Sequence, residues 1–287
     1  MDVNIKTGCK INLTLDIIGK REDGYHLLST VMQNVALYDY LYLRERKSGI
    51  VINCNLPYIP LNESNIAYKA AQMFFEISGI NSGVYIGMDK LVPVCAGMGG
   101  GSANAAGVLY GLNEMFGRPL DNKVLKENSV KLGADVPFFF EGGICLCSGI
   151  GEHTESLRSM PDCTVVILKD ARGLSTPKAY ADFDARPVNT EYTGNFVRAL
   201  NAVSFDDIGK SIGNVLYDTA KGICPEIRRN IEILRSYGAY SAMTGSGSAV
   251  YGLFKDREKA IYCHKNEKDK HDRVMLTALT DSGFALI

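Results

Sequence analysis

One stretch constrains this chain more than any other: Pro93-Val94-Cys95-Ala96-Gly97-Met98-Gly99-Gly100-Gly101-Ser102-Ala103-Asn104-Ala105-Ala106. Four of the five residues from Gly97 to Gly101 are glycine, and small residues and then Leu109, Leu112 and Met115 follow. Such a run reads as a bare loop turning into a helix. Glycines let the loop take positive φ and let a ligand approach the backbone N–H groups. The helix start adds unpaired N–H groups and the positive end of its dipole. A polyphosphate suits that surface. A tight turn alone needs about one or two glycines, not four.

Two familiar phosphate loops match poorly. No lysine follows the glycines, as a G-x-x-x-x-G-K-[ST] loop requires. Gly97-Met98-Gly99-Gly100-Gly101-Ser102 fails the last position of G-x-G-x-x-G. Asp121 nevertheless sits near the distance at which a dinucleotide fold places its ribose acid, so an oxidoreductase remains open at this point.

The bulk numbers narrow the partners. The 287 residues suffice for one large or two ordinary domains. Net charge is -1, with 46% hydrophobic and 22% charged residues. That balance offers no basic excess for nucleic acid or a membrane surface. No apolar run approaches the roughly 20 residues of a membrane span. The start, Met1-Asp2-Val3-Asn4-Ile5-Lys6, lacks the apolar core of a signal peptide, so the chain is expected in the cytoplasm. The eight cysteines form no C-x-x-C pair and mostly lie in apolar or small-residue runs, as buried structural thiols do.

Hydrophobic periodicity supplies an outline. Ile11–Ile17 alternates as a half-buried strand, and Lys20–Tyr25 reads as a turn between Gly19 and Gly24. Val35–Arg44, Gly49–Asn53 and Val84–Leu91 are further strands. Ser64 is the expected cap of a helix over Asn65–Ile77, with Ala67, Ala70, Ala71, Phe74 and Phe75 inward. Helices are predicted over Ala103–Phe116 and Asn122–Leu132, and Pro137–Phe140 is expected to enter a buried extended segment. Beyond Gly149-Ile150-Gly151-Glu152 the texture changes. Thr164–Lys169 reads as a central strand, Pro225–Tyr237 as a helix with Ile227, Ile231 and Leu234 on one face, and Ala239–Thr244 and Val250–Phe254 as strands. A boundary falls near residues 150–162.

Three further segments carry potential chemistry. Lys10-Ile11-Asn12-Leu13 puts a lysine at a strand start, where a solvated charge is the ordinary reading. Gly133-Ala134-Asp135-Val136-Pro137-Phe138-Phe139 carries an acid into apolar surroundings, where it needs a partner or a task. Met243-Thr244-Gly245-Ser246-Gly247-Ser248-Ala249 is a second glycine and hydroxyl loop; it reads as a hairpin turn or as an anion-holding wall.

Together these segments resemble the GHMP kinase superfamily. Lys10–Leu15 resembles its first motif, Pro93–Ala106 its ATP-binding second motif, and Met243–Ala249 its third. The run Lys20-Arg21-Glu22-Asp23-Gly24-Tyr25-His26, the triple glycine before Ser102-Ala103-Asn104, and Gly133–Phe138 resemble the branch that phosphorylates a cytidylylated alcohol. Ser102-Ala103 stands where Ser-Ser is common, and Met98 where Leu is usual. Neither change removes a backbone donor, although the missing hydroxyl removes one nucleotide or Mg²⁺ contact.

The resemblance implies an α+β fold in two parts: an N-terminal domain of the ribosomal S5 domain 2-like type over residues 1–155 and a ferredoxin-like C-terminal domain over 156–287, with the site in the cleft between. It implies ATP as phosphoryl donor, Mg²⁺ carried with the nucleotide, no metal held by the protein itself, and a small-molecule substrate bearing a cytidine diphosphate. Lys10 and Asp135 would be catalytic. Pro93, Val94, Cys95, Ala96, Gly97, Met98, Gly99, Gly100, Gly101, Ser102 and Ala103 would bind ATP, with Asn65 near the adenine. Asn12, Tyr25, His26, Tyr180, Thr244 and Gly245 would contact the substrate, Tyr25 and Tyr180 by stacking on the base and His26 at its edge. The expected assembly is a monomer or homodimer, with no nucleic-acid or membrane partner. Another kinase of the superfamily, such as a homoserine or mevalonate kinase, and a catalytically silent ligand sensor are the alternatives. Tyr25-His26 and the retained Lys10 and Asp135 argue against them.

Overall fold

The computed structural model describes residues 2–170 and 173–287. Strands β1 (Asp2–Lys20) and β2 (His26–Arg46) form a long antiparallel hairpin, followed by β3 (Gly49–Cys54), helix α1 (Ile66–Ser78) and β4 (Gly83–Asp89). The glycine loop then opens α2 (Gly100–Met115), and α3 (Asn122–Ser129), α4 (Val136–Glu141), β5 (Ile144–Ser148) and β6 (His153–Ser156) complete the first half. The second half runs β7 (Thr164–Lys169), α5 (Thr176–Asp184), α6 (Tyr192–Ala202), α7 (Phe205–Ser211), β8 (Gly213–Asn214), α8 (Tyr217–Ile223) and α9 (Glu226–Ser236). It ends with β9 (Tyr240–Met243), β10 (Val250–Phe254), α10 (Arg257–Glu267), β11 (Arg273–Ala278) and β12 (Phe284–Leu286).

Two sheets result. The eight-stranded sheet has the order β12-β1-β2-β4-β3, with β5 on β2, β6 on β5 and β8 on β1. Only β3–β4 and β1–β8 run parallel among its pairings. The four-stranded sheet, β11-β7-β10-β9, is antiparallel throughout. This is an α+β fold, and it differs from the doubly wound parallel sheet of a dinucleotide fold.

Strand β1 joins the halves because its two ends face different cores. Val3 and Ile5 pack with Phe74, Leu109 and Leu112 of α1 and α2. Ile11 and Leu13 pack with Val165, Ile167, Tyr251 and Leu253 of the smaller sheet. The Tyr251 hydroxyl also donates to the Asn12 carbonyl at 3.0 Å. A third core lies across the smaller sheet, where Ile227, Ile231 and Leu234 of α9 cover Leu168 and Val250. No helix among the described residues is long and apolar enough to cross a membrane.

Several local expectations need correction. The cap of α1 is Asn65, not Ser64: the Asn65 Oδ1 accepts from the Ala67 N–H at 2.9 Å. Helix α2 begins inside the glycine run because Gly99, at φ 67°, takes the left-handed conformation and turns the chain into the first helical residue. Pro137–Phe140 is part of α4, not an extended segment. A proline in a first turn loses no hydrogen bond, and its fixed φ suits a helix. The stretch around Tyr180, for which hydrophobic periodicity supplies no element, is α5, with Pro177 again in the first turn. Five cysteines are buried, Cys54 and Cys163 partly so, and Cys95 is exposed.

Candidate active site

The glycine loop lines a cleft of about 420 Å³ together with Asn65, Lys90 and Asn104. Every predicted residue from Pro93 to Ser102 lines it. Ala103 does not; it is fully buried in the helix-packed core. The side chains of Ala96 and Met98 belong to the core between the sheets. The N-terminus of α2 carries no side-chain capping bond at Gly99, which leaves its first amides available to an anion. Asn65 lines the cleft, but its side chain is occupied within the wall: besides capping α1 it donates to the Pro60 carbonyl at 2.7 Å. Asp121 lies elsewhere, at the start of α3 beside Tyr110 and Arg118, and this removes the ribose-acid reading.

An element that sequence reasoning missed anchors the loop. The Asp39 carboxylate accepts from the Leu91 and Val92 amides at 2.8 Å each, from Asn104 Nδ2 at 3.0 Å and from Lys90 Nζ. Lys90 Nζ donates also to Asn104 Oδ1 at 2.6 Å. Asp39 comes from β2 and Asn104 from α2, so no local pattern announces them.

Lys10 packs against the glycine loop, close to the position of Gly99. Its backbone amide donates to the Met98 carbonyl at 2.9 Å, and its Nζ lies 2.5 Å from Asn12 Oδ1 and 3.5 Å from Asp135 Oδ2. Lys10 is 4% exposed at the side chain and Asp135 30%. Asp135 precedes α4 without making a capping bond, which leaves its carboxylate open to a ligand. Asn12 is fixed by Thr30 Oγ1, to which its Nδ2 donates at 2.9 Å. Thr244 is fully buried; its hydroxyl accepts from the Asn12 amide at 3.0 Å and donates to the Gly97 carbonyl at 3.2 Å. A Cβ on Gly97 would lie 2.3 Å from the Thr244 carbonyl oxygen, so the two glycine loops press backbone on backbone. Thr244 and Gly245 therefore weld the loops together, and neither is among the residues that line this cleft or the one beside His26.

The second cleft, of about 540 Å³, is lined by Tyr25, His26 and Tyr180, as the sequence predicts, and by Lys20, Ala134 and Asp184. Ala134 carries it to the edge of Asp135. Tyr25 is 59% exposed at the rim. His26 stacks on Tyr180, with ring centroids 4.8 Å apart and an interplanar angle of 27°. One face of Tyr180 is thus covered by His26, and burial pushes its phenol pKa up. Asp184 accepts from Lys20 Nζ at 2.5 Å and lies 2.6 Å from His26 Nε2. Hydrogen bonds from Lys20 and then His26 hold its carboxyl below the usual carboxylate range. Lys20 opens the run that ends in His26, but Asp184 is not legible in the sequence, because the carboxylate arrives on a helix 158 residues from His26.

Known proteins agree with this architecture. The sequence profile of the GHMP kinases N terminal domain matches residues 65–143, and that of the GHMP kinases C terminal domain residues 196–262. A 4-diphosphocytidyl-2-C-methyl-D-erythritol kinase of Clostridium botulinum is 41% identical over 277 residues, covering 96% of this chain and 99% of the relative. One of Clostridium beijerinckii is 39% identical, with the same coverage of 96% and 99%. The crystal structure of a 4-(cytidine 5'-diphospho)-2C-methyl-D-erythritol kinase superposes with a TM-score of 0.81 at 30% identity, covering 97% of this chain and 99% of that one. A homoserine kinase from Cytophaga hutchinsonii has a TM-score of 0.80 at 17% identity, over 100% of this chain and 97% of its own, and shares the fold. The chain belongs to the GHMP kinase family, and over almost its whole length it is similar to the 4-diphosphocytidyl-2-C-methyl-D-erythritol kinases.

Proposed function

We propose that this chain transfers the γ-phosphoryl group of ATP to the 2-hydroxyl of 4-diphosphocytidyl-2-C-methyl-D-erythritol, a step of the non-mevalonate route to isoprenoid precursors. The observation that carries the reading is the Lys10–Asp135 ion pair, with Lys10 bonded to the glycine loop of one cleft and Asp135 next in the chain to Ala134 of another, unlike cleft. One cleft is walled by glycine backbone and a helix N-terminus, and suits a triphosphate. The other is walled by Tyr25, His26 and Tyr180, and suits a flat base. The names of the similar kinases supply the substrate that fits both. In the same proposal, residues 1–155 form the ATP-binding part and residues 156–287 the second domain.

Phosphoryl transfer depends mostly on positioning and charge stabilisation. The glycine loop holds the triphosphate through backbone N–H groups, and Ser102 adds a hydroxyl at the α2 start. Asp135 accepts a hydrogen bond from the attacking hydroxyl, orients it, and takes its proton as the new P–O bond forms. Lys10 places a positive charge beside that oxygen and stabilises the negative charge that develops on it. Asn12 fixes the ammonium, and Thr30 and Thr244 fix Asn12. Mg²⁺ brought on the phosphate oxygens would neutralise part of the triphosphate charge. The described lining of the first cleft fits a metal that arrives with the nucleotide: it offers the Ser64 and Ser102 hydroxyls and no carboxylate, and Mg²⁺ needs few protein ligands.

The test is ATP consumption with Mg²⁺ and a panel of alcohols: the cytidylylated methylerythritol, homoserine, mevalonate and galactose. Turnover with the first alone is the expected result. Turnover with another alcohol instead would keep the kinase and discard the cytidine cleft.

A further inference from the structure

Among the residues that helix α5 brings to the second cleft, Tyr180 and Asp184 are four apart, and that spacing places both on one helix face. Both engage the same ring. Tyr180 stacks on His26, and Asp184 Oδ1 lies 2.6 Å from His26 Nε2. Phe183 meets the ring edge-on at 6.3 Å and 80°. The second oxygen of Asp184 takes Lys20, so both oxygens of the carboxylate are engaged. His26 is 10% exposed at its side chain, and its Nδ1 has no hydrogen-bond partner among the described residues.

A carboxylate only accepts hydrogen bonds, so the nitrogen that faces it is an N–H. In the neutral ring the other nitrogen is then a lone-pair acceptor. Cytosine and uracil have the same shape but opposite polarity at C4: an amino donor in one, a carbonyl acceptor in the other. An acceptor nitrogen matches the first and repels the second.

We propose that Asp184 is a positioning residue that makes the second cleft select cytosine over uracil, by holding His26 with Nε2–H on its carboxylate and leaving Nδ1 as the acceptor for the amino group of the base. The proposal rests on the reading of this cleft as the cytidine site. Asp184 does not touch the base itself; it acts through His26. A site built around one hydrogen bond rejects the analogue that cannot make it, because its own buried group is left unpaired.

The experiment is calorimetric titration of the full chain and its Asp184→Asn variant with cytidine diphosphate and with uridine diphosphate, alongside KM and kcat for the cytidylylated alcohol. Asparagine keeps the shape, but its amide can donate to Nε2 and reverse the tautomer. The wild type is expected to favour cytidine diphosphate by about tenfold or more, the worth of one hydrogen bond. Asp184→Asn should bring the ratio to within about twofold, with the loss in KM rather than kcat. Lys20→Gln, which leaves the carboxylate in place, should raise KM and keep the preference. A preference retained in Asp184→Asn, or lost equally in Lys20→Gln, would overturn the proposal alone. A wild type that binds ATP but does not distinguish the two diphosphates would overturn the cytidine reading and the proposal with it. NMR of the His26 ring nitrogens in the wild type gives a check that needs no variant: Nε2–H with a bare Nδ1 is expected, and Nδ1–H would refute the assignment.

Discussion

Two lysine–aspartate pairs stand on either side of the glycine loop, Lys90 with Asp39 and Lys10 with Asp135. They differ in how completely their hydrogen-bonding capacity is used. Asp39 is fully buried, and both its oxygens are filled, one by the Leu91 and Val92 amides and the other by Lys90 and Asn104. Asp135 is 30% exposed, meets Lys10 at 3.5 Å, and makes no capping bond to the helix it precedes. The Asp39 carboxylate has no acceptor left to offer a ligand, so its work is to fix the start of the loop. The second pair keeps an open carboxylate beside a buried ammonium, an arrangement that costs stability unless a ligand uses it. Saturation of acceptors, more than charge or burial, separates the anchor from the reactive pair.

The largest effect should come from opening the reactive pair. Asp135→Asn is expected to lower turnover by about 10²–10⁴-fold, the range for a positioned acid or base. Lys10→Ala should follow it. Steady-state ATP consumption measures both, and the Asp135→Asn melting temperature should stay near that of the wild type. The opposite pattern is expected at the anchor. Asp39→Ala leaves the Lys90 cation buried without its partner, which costs about 3–5 kcal/mol. Denaturant unfolding should show that loss directly. If Asp39→Ala proved as harmless to stability as Asp135→Asn, the distinction between the two pairs would collapse.

The same contrast explains what could be read from the chain. The glycine loop was legible because its function resides in backbone over consecutive residues, and composition alone reveals that. Lys10 and Asp135 were legible through their surrounding motifs, Lys10-Ile11-Asn12-Leu13 and Gly133–Phe138. The anchor was hidden, since Asp39, Lys90 and Asn104 come from three elements whose local patterns are those of ordinary strands and a helix. Asp184 was hidden twice over: no hydrophobic periodicity announced its helix, and its partners lie more than 150 residues away in the chain. Thr244 was assigned to the substrate from its loop, yet its hydroxyl is consumed by Asn12 and Gly97, an outcome set by tertiary packing. The helix at Val136–Glu141 shows the same limit, because a run of buried phenylalanines fits strand or helix until its surroundings choose.

The finest test uses the two glycines that separate the pairs. A Cβ on Gly99 would lie 3.1 Å from Lys10 Cγ and 3.1 Å from Phe139 Cζ, at a φ of +67°. A Cβ on Gly100 would lie 3.0 Å from Val92 Cγ1 and 3.5 Å from Lys90 Nζ, at a φ that any residue adopts. Gly99→Ala must therefore strain the backbone, at about 1–2 kcal/mol, and push on the reactive lysine. Turnover should fall roughly 10–100-fold, as expected when a reacting group is displaced by a fraction of its length. Gly100→Ala meets the anchor instead, where only Val92 need shift and the lysine is held from two sides. Its kcat at saturating ATP should stay within about threefold, with any loss appearing in the KM for ATP, where a methyl group faces the nucleotide. Equal losses of kcat in the two variants would mean that the loop couples the pairs, and that the anchor takes part in the chemistry after all.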